Sequence, residues 1–84
     1  MITCFTDIAW EQYVYWQTED KKMLKKINEL IKDINRNLFE GIGKPEALKH
    51  NLKGYWSRRI NDEHRLVYKI ESQNVIIVSC RFHY

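Results

Sequence analysis

Proline occurs once in the 84 residues and glycine three times, and all four lie between Asn37 and Gly54. Nothing elsewhere breaks the chain, so regular elements can run uninterrupted on either side of that segment. Cysteine is scarce too. Cys4 and Cys80 stand too far apart in sequence to make a metal knuckle or a redox pair. No run of about 18 uncharged apolar residues exists, which excludes a membrane-spanning helix. The opening segment, residues 1–7, has no basic residue and no apolar stretch long enough for a signal peptide. A reducing cytoplasm is therefore the expected compartment, with both cysteines as thiols. Also missing are a Cys/His cluster, an H-E-x-x-H helix, paired carboxylates at metal spacing and a G-x-x-x-x-G-K-[ST] loop. Gly41-Ile-Gly43-Lys44 has no Ser or Thr after its lysine and no flanking strand pattern. No metal or cofactor is expected.

What is present is globular: 44% hydrophobic and 30% charged residues, with 3 Trp, 5 Tyr and 3 Phe to fill a thin core. The length suits one domain over residues 1–84. Net charge is +3, unevenly spread. Residues 1–42 carry six basic and seven acidic side chains, whereas residues 43–84 carry eight and four. An excess of cations in one half suits an acidic partner, nucleic acid being the commonest. A plain basic surface is the alternative.

Ile2 to Thr6 reads as a short strand. Thr6 suits an N-cap, followed by an aromatic-rich helix to about Trp16. Its apolar positions, Ile8, Ala9, Trp10, Tyr13, Val14 and Trp16, are too many for one stripe, so some should face a groove or partner. From Asp20 to about Asn35, Met23, Leu24, Ile27, Leu30, Ile31 and Ile34 follow helical periodicity. Five lysines cover the other faces of that helix. They fit RNA backbone contact or a solvated surface equally well. Residues 37–54 read as a loop with a short helical turn through 46–50, long enough to suggest a function. Period two then predicts strands at 55–61, 64–70 and 74–82, joined by tight turns that make neighbours antiparallel. The expected fold is α+β: two N-terminal helices on one face of a twisted antiparallel sheet, in the order β-α-α-β-β-β.

The sheet's open face is the first candidate for a site. Alternation places Arg58 and Arg59 on opposite sides of one strand, and groups Arg81 with His83. A face bearing Arg59, Arg65, Arg81 and His83 would hold a phosphodiester, since arginine offers paired planar donors to phosphate oxygens. RNA cleavage without a metal needs a base for the ribose 2′-OH, an acid for the leaving 5′-oxygen and cations for the phosphorane. Glu and His can fill the first two roles. Each residue has a plainer alternative. His83 fits a frayed tail, His64 a turn or packing residue, Glu46 a short helix start and Arg58 a partner for a surface carboxylate.

Several short motifs occur in one order: Gly43-Lys-Pro-Glu46, Leu48-Lys-His-Asn-Leu52, Trp56-Ser-Arg-Arg-Ile60, His64-Arg-Leu-Val-Tyr68 and a final His83-Tyr84. With Tyr15-Trp16-Gln17 and the run from Lys25 to Lys32 they span essentially the whole chain. In that order and spacing they resemble the YoeB toxins of bacterial toxin–antitoxin systems, within the RelE-like superfamily. The resemblance implies a microbial RNase fold and a ribosome-dependent endoribonuclease, or mRNA interferase, that cuts mRNA in the A site of the 70S ribosome. It implies Glu46 as general base, His83 as general acid and Arg65 as the stabiliser of the transition-state phosphate. It also implies that Lys49, Arg59 and Tyr84 contact substrate. A YefM-like antitoxin, a homodimer and operator DNA bound only through the toxin–antitoxin complex are implied partners, in a bacterial cytoplasm. Ala47 departs from the family's frequent proline there, and Lys53 and Tyr55 vary. A second reading keeps only the basic surface: a ribosome- or RNA-binding protein that blocks translation, or serves as co-repressor, without cutting.

Overall fold

The computed structural model describes residues 1–82. Five strands and two helices follow the chain as β1 (Thr3–Phe5), α1 (Asp7–Glu19), α2 (Lys21–Arg36), β2 (Glu46–Ala47), β3 (Tyr55–Arg59), β4 (Arg65–Glu71) and β5 (Asn74–Ser79). A 3₁₀ turn over His50–Leu52 separates β2 from β3. The strands form one sheet in the order β1-β5-β4-β3-β2.

Local chemistry sets the helix ends. The Thr6 hydroxyl accepts the Ala9 N–H at 3.2 Å, which makes it the N-cap of α1. Asp20 closes α1 and opens α2, its carboxylate taking the Lys22 and Met23 N–H groups at 3.0 and 3.3 Å. Met23, Ile27, Leu30 and Ile34 share one face of α2 and are all buried. They meet Ala9 and Trp16 of α1 and Leu66, Tyr68, Val75 and Ile77 of the sheet, forming the core. Each such buried side chain contributes about 1.5–3 kcal/mol.

Four of the five strands pair antiparallel, as their short connections require. The expectation of a wholly antiparallel sheet needs correction at one edge, because β1 runs parallel to β5. Nearly the whole chain lies between those two strands, so no hairpin dictates their relative sense. The turn at 71–74 has positive φ at both Ser72 (52°) and Gln73 (65°), the geometry that matches the twist of the flanking strands.

Two further expectations give way to specific contacts. The helical turn expected at 46–50 is instead β2, where Glu46 pairs with Ser57 and Ala47 with Trp56. That pairing covers the otherwise open edge of β3, and the 3₁₀ turn falls later. The last strand stops at Ser79 rather than Phe82. Two α1 side chains capture the backbone there: Gln12 Oε1 accepts the Cys80 N–H at 2.7 Å, and Trp16 Nε1 donates to the Cys80 carbonyl at 2.9 Å. Among the described residues no helix is long and apolar enough to cross a membrane.

Candidate active site

Strand register decides which side chains share the face away from the helices. Directly paired residues lie on the same side of a sheet, and successive residues alternate. Glu46 pairs with Ser57, Ser57 with Val67 and Val67 with Ser79, so these four form one row across the sheet. The next row along β3 and β4 is Arg59 opposite Arg65. Glu46 and Arg59 are thus diagonal neighbours, about 7–8 Å apart at the backbone. Tyr55 and Lys69 make the row on the other flank, with the Lys69 ammonium 5.5 Å from the Tyr55 ring centre. Glu71, at 3.2 Å from that ammonium, raises the Lys69 pKa.

The expected carboxylate and two of the expected arginines therefore meet on one face. Glu46 and Arg59 are exposed, and Arg65 is half-buried. Arg65 Nη1 donates to the carbonyls of Asn61, His64 and Asp62 at 2.7, 3.2 and 3.3 Å, which fixes its side chain along the β3–β4 turn. Among the described residues no acceptor takes its remaining N–H groups. Lys49 is exposed, three residues beyond Glu46 at the start of the 3₁₀ turn.

Arg81 does not join this face. Its guanidinium carbon sits 3.6 Å from the Tyr15 ring centre, on the helix layer, because the chain has left the ladder at Cys80. His83 and Tyr84 lie outside the described residues. The residue before them is held in place, however. The Phe82 N–H donates to His64 Nδ1 at 2.7 Å, and the Arg65 N–H donates to the Phe82 carbonyl at 2.9 Å. His64 is buried edge-on against Trp16, with ring centres 4.9 Å apart. It is a packing histidine that also tethers the C-terminal segment to β4.

Arg58 does pair with a partly exposed carboxylate, as expected, but from inside the fold. It is 0% exposed, faces the helices, and pairs with Asp33 at 2.7 Å. The signal was present in the sequence: Arg58 falls in phase with Trp56 and Ile60, the inward-facing positions of that stretch. Among the described residues no group of three His, Cys, Asp or Glu side chains stands ready to hold a metal ion.

A family model described as the YoeB-like toxin of bacterial type II toxin–antitoxin systems matches residues 5–84. The chain belongs to that family. Toxin YoeB of Synechocystis sp. is 61% identical over 84 residues, covering 100% of this chain and 98% of the relative. Among solved structures, a YoeB dimer from Staphylococcus aureus superposes with a TM-score of 0.93 at 58% identity. A heterotetrameric YoeB–YefM toxin–antitoxin complex from the same species gives 0.92 at 58% identity. Both cover 100% of this chain and 98% of the other. The YoeB-like fold is thus the frame on which Glu46, Arg59 and Arg65 meet.

Proposed function

We propose that this YoeB-like toxin is a ribosome-dependent endoribonuclease that cuts mRNA in the A site by metal-independent acid–base chemistry. The observation that carries the reading is an exposed carboxylate, Glu46, on the sheet face away from the helices, beside two arginines set directly opposite one another. Such a face accepts a phosphodiester and offers a base one side chain away. In the proposed reaction Glu46 removes the ribose 2′-OH proton, and the 2′-oxygen attacks phosphorus. Arg65, with Arg59, balances the added negative charge on the phosphorane. His83 protonates the departing 5′-oxygen, leaving a 2′,3′-cyclic phosphate and a free 5′-OH. Lys49 and Tyr84 hold the strand around the scissile bond.

A YefM-like antitoxin as neutralising partner is supported by the complex of the S. aureus relative. In this reading operator DNA is bound only by the complex of this chain with its antitoxin. Self-association is supported by the relative's dimer and by the exposed apolar positions of α1. Trp10 and Val14, 51% and 41% exposed and one helical turn apart, offer the contact. Val14→Glu shifts the sedimentation of the free toxin toward monomer if that face is used, and leaves it unchanged if another is.

The deciding experiment is primer extension on a defined mRNA in programmed 70S ribosomes, comparing wild type with Glu46→Gln and His83→Ala. Discrete cuts within the A-site codon are expected, reduced about 10²–10⁴-fold in each variant. Chelators of transition metals, with the ribosome's magnesium kept constant, leave the cuts unchanged. Inhibited translation without cuts overturns the reading in favour of a non-cleaving binder.

A further inference from the structure

The base-bearing strand is very short. β2 has two residues, and one further bond extends it, from the Leu48 N–H to the Tyr55 carbonyl at 2.9 Å. Strands usually run about 3–10 residues, so this one has few ladder bonds of its own. The nine residues before β2 carry no regular structure. Their position must come from elsewhere.

Leu38 packs on the core and the Phe39 ring lies 4.8 Å from that of Trp56, and the polar anchoring gathers around one side chain. All five N–H donors of the Arg58 guanidinium are used. Nη2 donates to the Asn37 and Glu40 carbonyls at 2.7 and 2.8 Å. Nη1 donates to the Ile42 carbonyl at 3.2 Å and to Asp33 Oδ2 at 2.7 Å. Nε donates to the Tyr68 hydroxyl at 3.2 Å, which in turn donates to the Leu38 carbonyl at 2.8 Å. The same Asp33 oxygen accepts the Ile42 N–H at 3.0 Å. Four consecutive anchor points, at residues 37, 38, 40 and 42, thus converge on Arg58 directly or through its partners. The next residue, Gly43, accepts the N–H of Arg59 at 2.6 Å. Three residues later the chain reaches Glu46.

We propose that Arg58 is a positioning residue for the cleavage reaction: it folds the 37–43 segment onto β3 and so sets Glu46 beside Arg59 and Arg65. The inference rests on the reading of Glu46 as the base. Strand alternation gives it a simple mechanics, because Ser57 and Arg59 face the site while Arg58, between them, grips the approach to β2 from behind. A displacement of about 1 Å at a catalytic group costs on the order of 10²-fold in rate. Lysine cannot replace this arginine, having three donors on a point charge in place of five in a rigid fork.

Arg58→Lys tests the proposal with two independent readouts. Amide hydrogen exchange of the free toxin is expected to quicken at least about tenfold at Ile42, Leu48 and Arg59. Amides inside α2 and the β4–β5 pair keep their protection. On ribosomes, the cutting rate at saturation is expected to fall on the order of 10²-fold with the half-saturating concentration unchanged. Glu46→Gln then costs far less in the Arg58→Lys background than in wild type, since the base is already displaced. Unaltered exchange at Leu48 and Arg59, or a Glu46→Gln loss equally large in both backgrounds, overturns the proposal. If wild type makes no cuts, the nuclease reading falls while the exchange data still decide what Arg58 does. Should Arg58→Lys fail to fold, Asp33→Ala carries the same readouts, because it removes an acceptor shared by Arg58 and Ile42 at a partly exposed site.

Discussion

Arg59 and Arg65 face each other across β3 and β4, and like charges directly opposite on neighbouring strands weaken a sheet. Arg58, one residue away, is a cation whose every donor is met inside the fold. Adjacent arginines of one strand therefore do opposite work, one holding the structure and one facing the site. Protonation of Asp33 separates the two roles experimentally. The backbone N–H of Ile42, and then Arg58, hold its carboxyl below the usual aspartate range. The stability this contributes is complete above about pH 4 and is lost as pH falls through the lowered value. Asp33→Asn should lower the melting temperature at neutral pH, with the gap to wild type narrowing below about pH 4. A constant gap down to pH 2.5 would show that the pair does not act through charge. The cysteines differ in the same residue-level way. Burial pushes the Cys80 thiol up to about 12, whereas Cys4 is exposed. A thiol reagent at pH 8 should therefore titrate one cysteine in the native protein and two in denaturant.

At the scale of elements, α2 was the most legible part of the chain. Met23, Ile27, Leu30 and Ile34 keep helical spacing in the sequence and are buried together in the fold. Thr6 announces its cap by chemistry that acts over three residues. The parallel β1 edge and the brief β2 were not legible, because strand partners distant in sequence leave no local pattern. The Arg58 clamp was half legible. Alternation points the side chain inward, but its acceptors are mostly loop carbonyls, which every residue type supplies alike. Alternation already set Arg59 and Arg65 on one face, the family motifs added Glu46, and register supplied the geometry. Gly43 shows how tightly the segment before β2 is held. Its φ is +82°, and a Cβ there would lie 2.7 Å from Leu30 Cδ2 and 3.0 Å from Arg58 Cβ. Gly43→Ala should cost about 1–3 kcal/mol, read as a fall of roughly 4–8 °C in melting temperature per kcal/mol. Cutting activity should fall further than stability accounts for, since the strain arises three residues before Glu46. Equal losses in the two would mean that the segment's path does not govern the base.

Across the whole molecule, charge and chemistry sit on different layers. Residues 21–36 of α2 carry six basic and two acidic side chains, a net of +4 in a chain whose total is +3. Their lysines stand on the helix layer, whereas Glu46, Arg59 and Arg65 occupy the far face of the sheet. A cation on the helix layer cannot touch a phosphodiester held at Glu46, so it acts on association and leaves the cut itself untouched. Replacing Lys21, Lys22, Lys25 and Lys26 by Glu is expected to weaken ribosome binding and leave the cutting rate at saturation unchanged. The plot of log affinity against log salt should become shallower by about 0.7–0.9 for each lysine that contacts a phosphate. An unchanged slope would make the lysine face a solvated surface and leave ribosome binding to the open sheet face. A fall in the saturated rate would instead couple the two layers, and the polar link nearest the site is Asp33 of α2 bonded to Arg58 behind it.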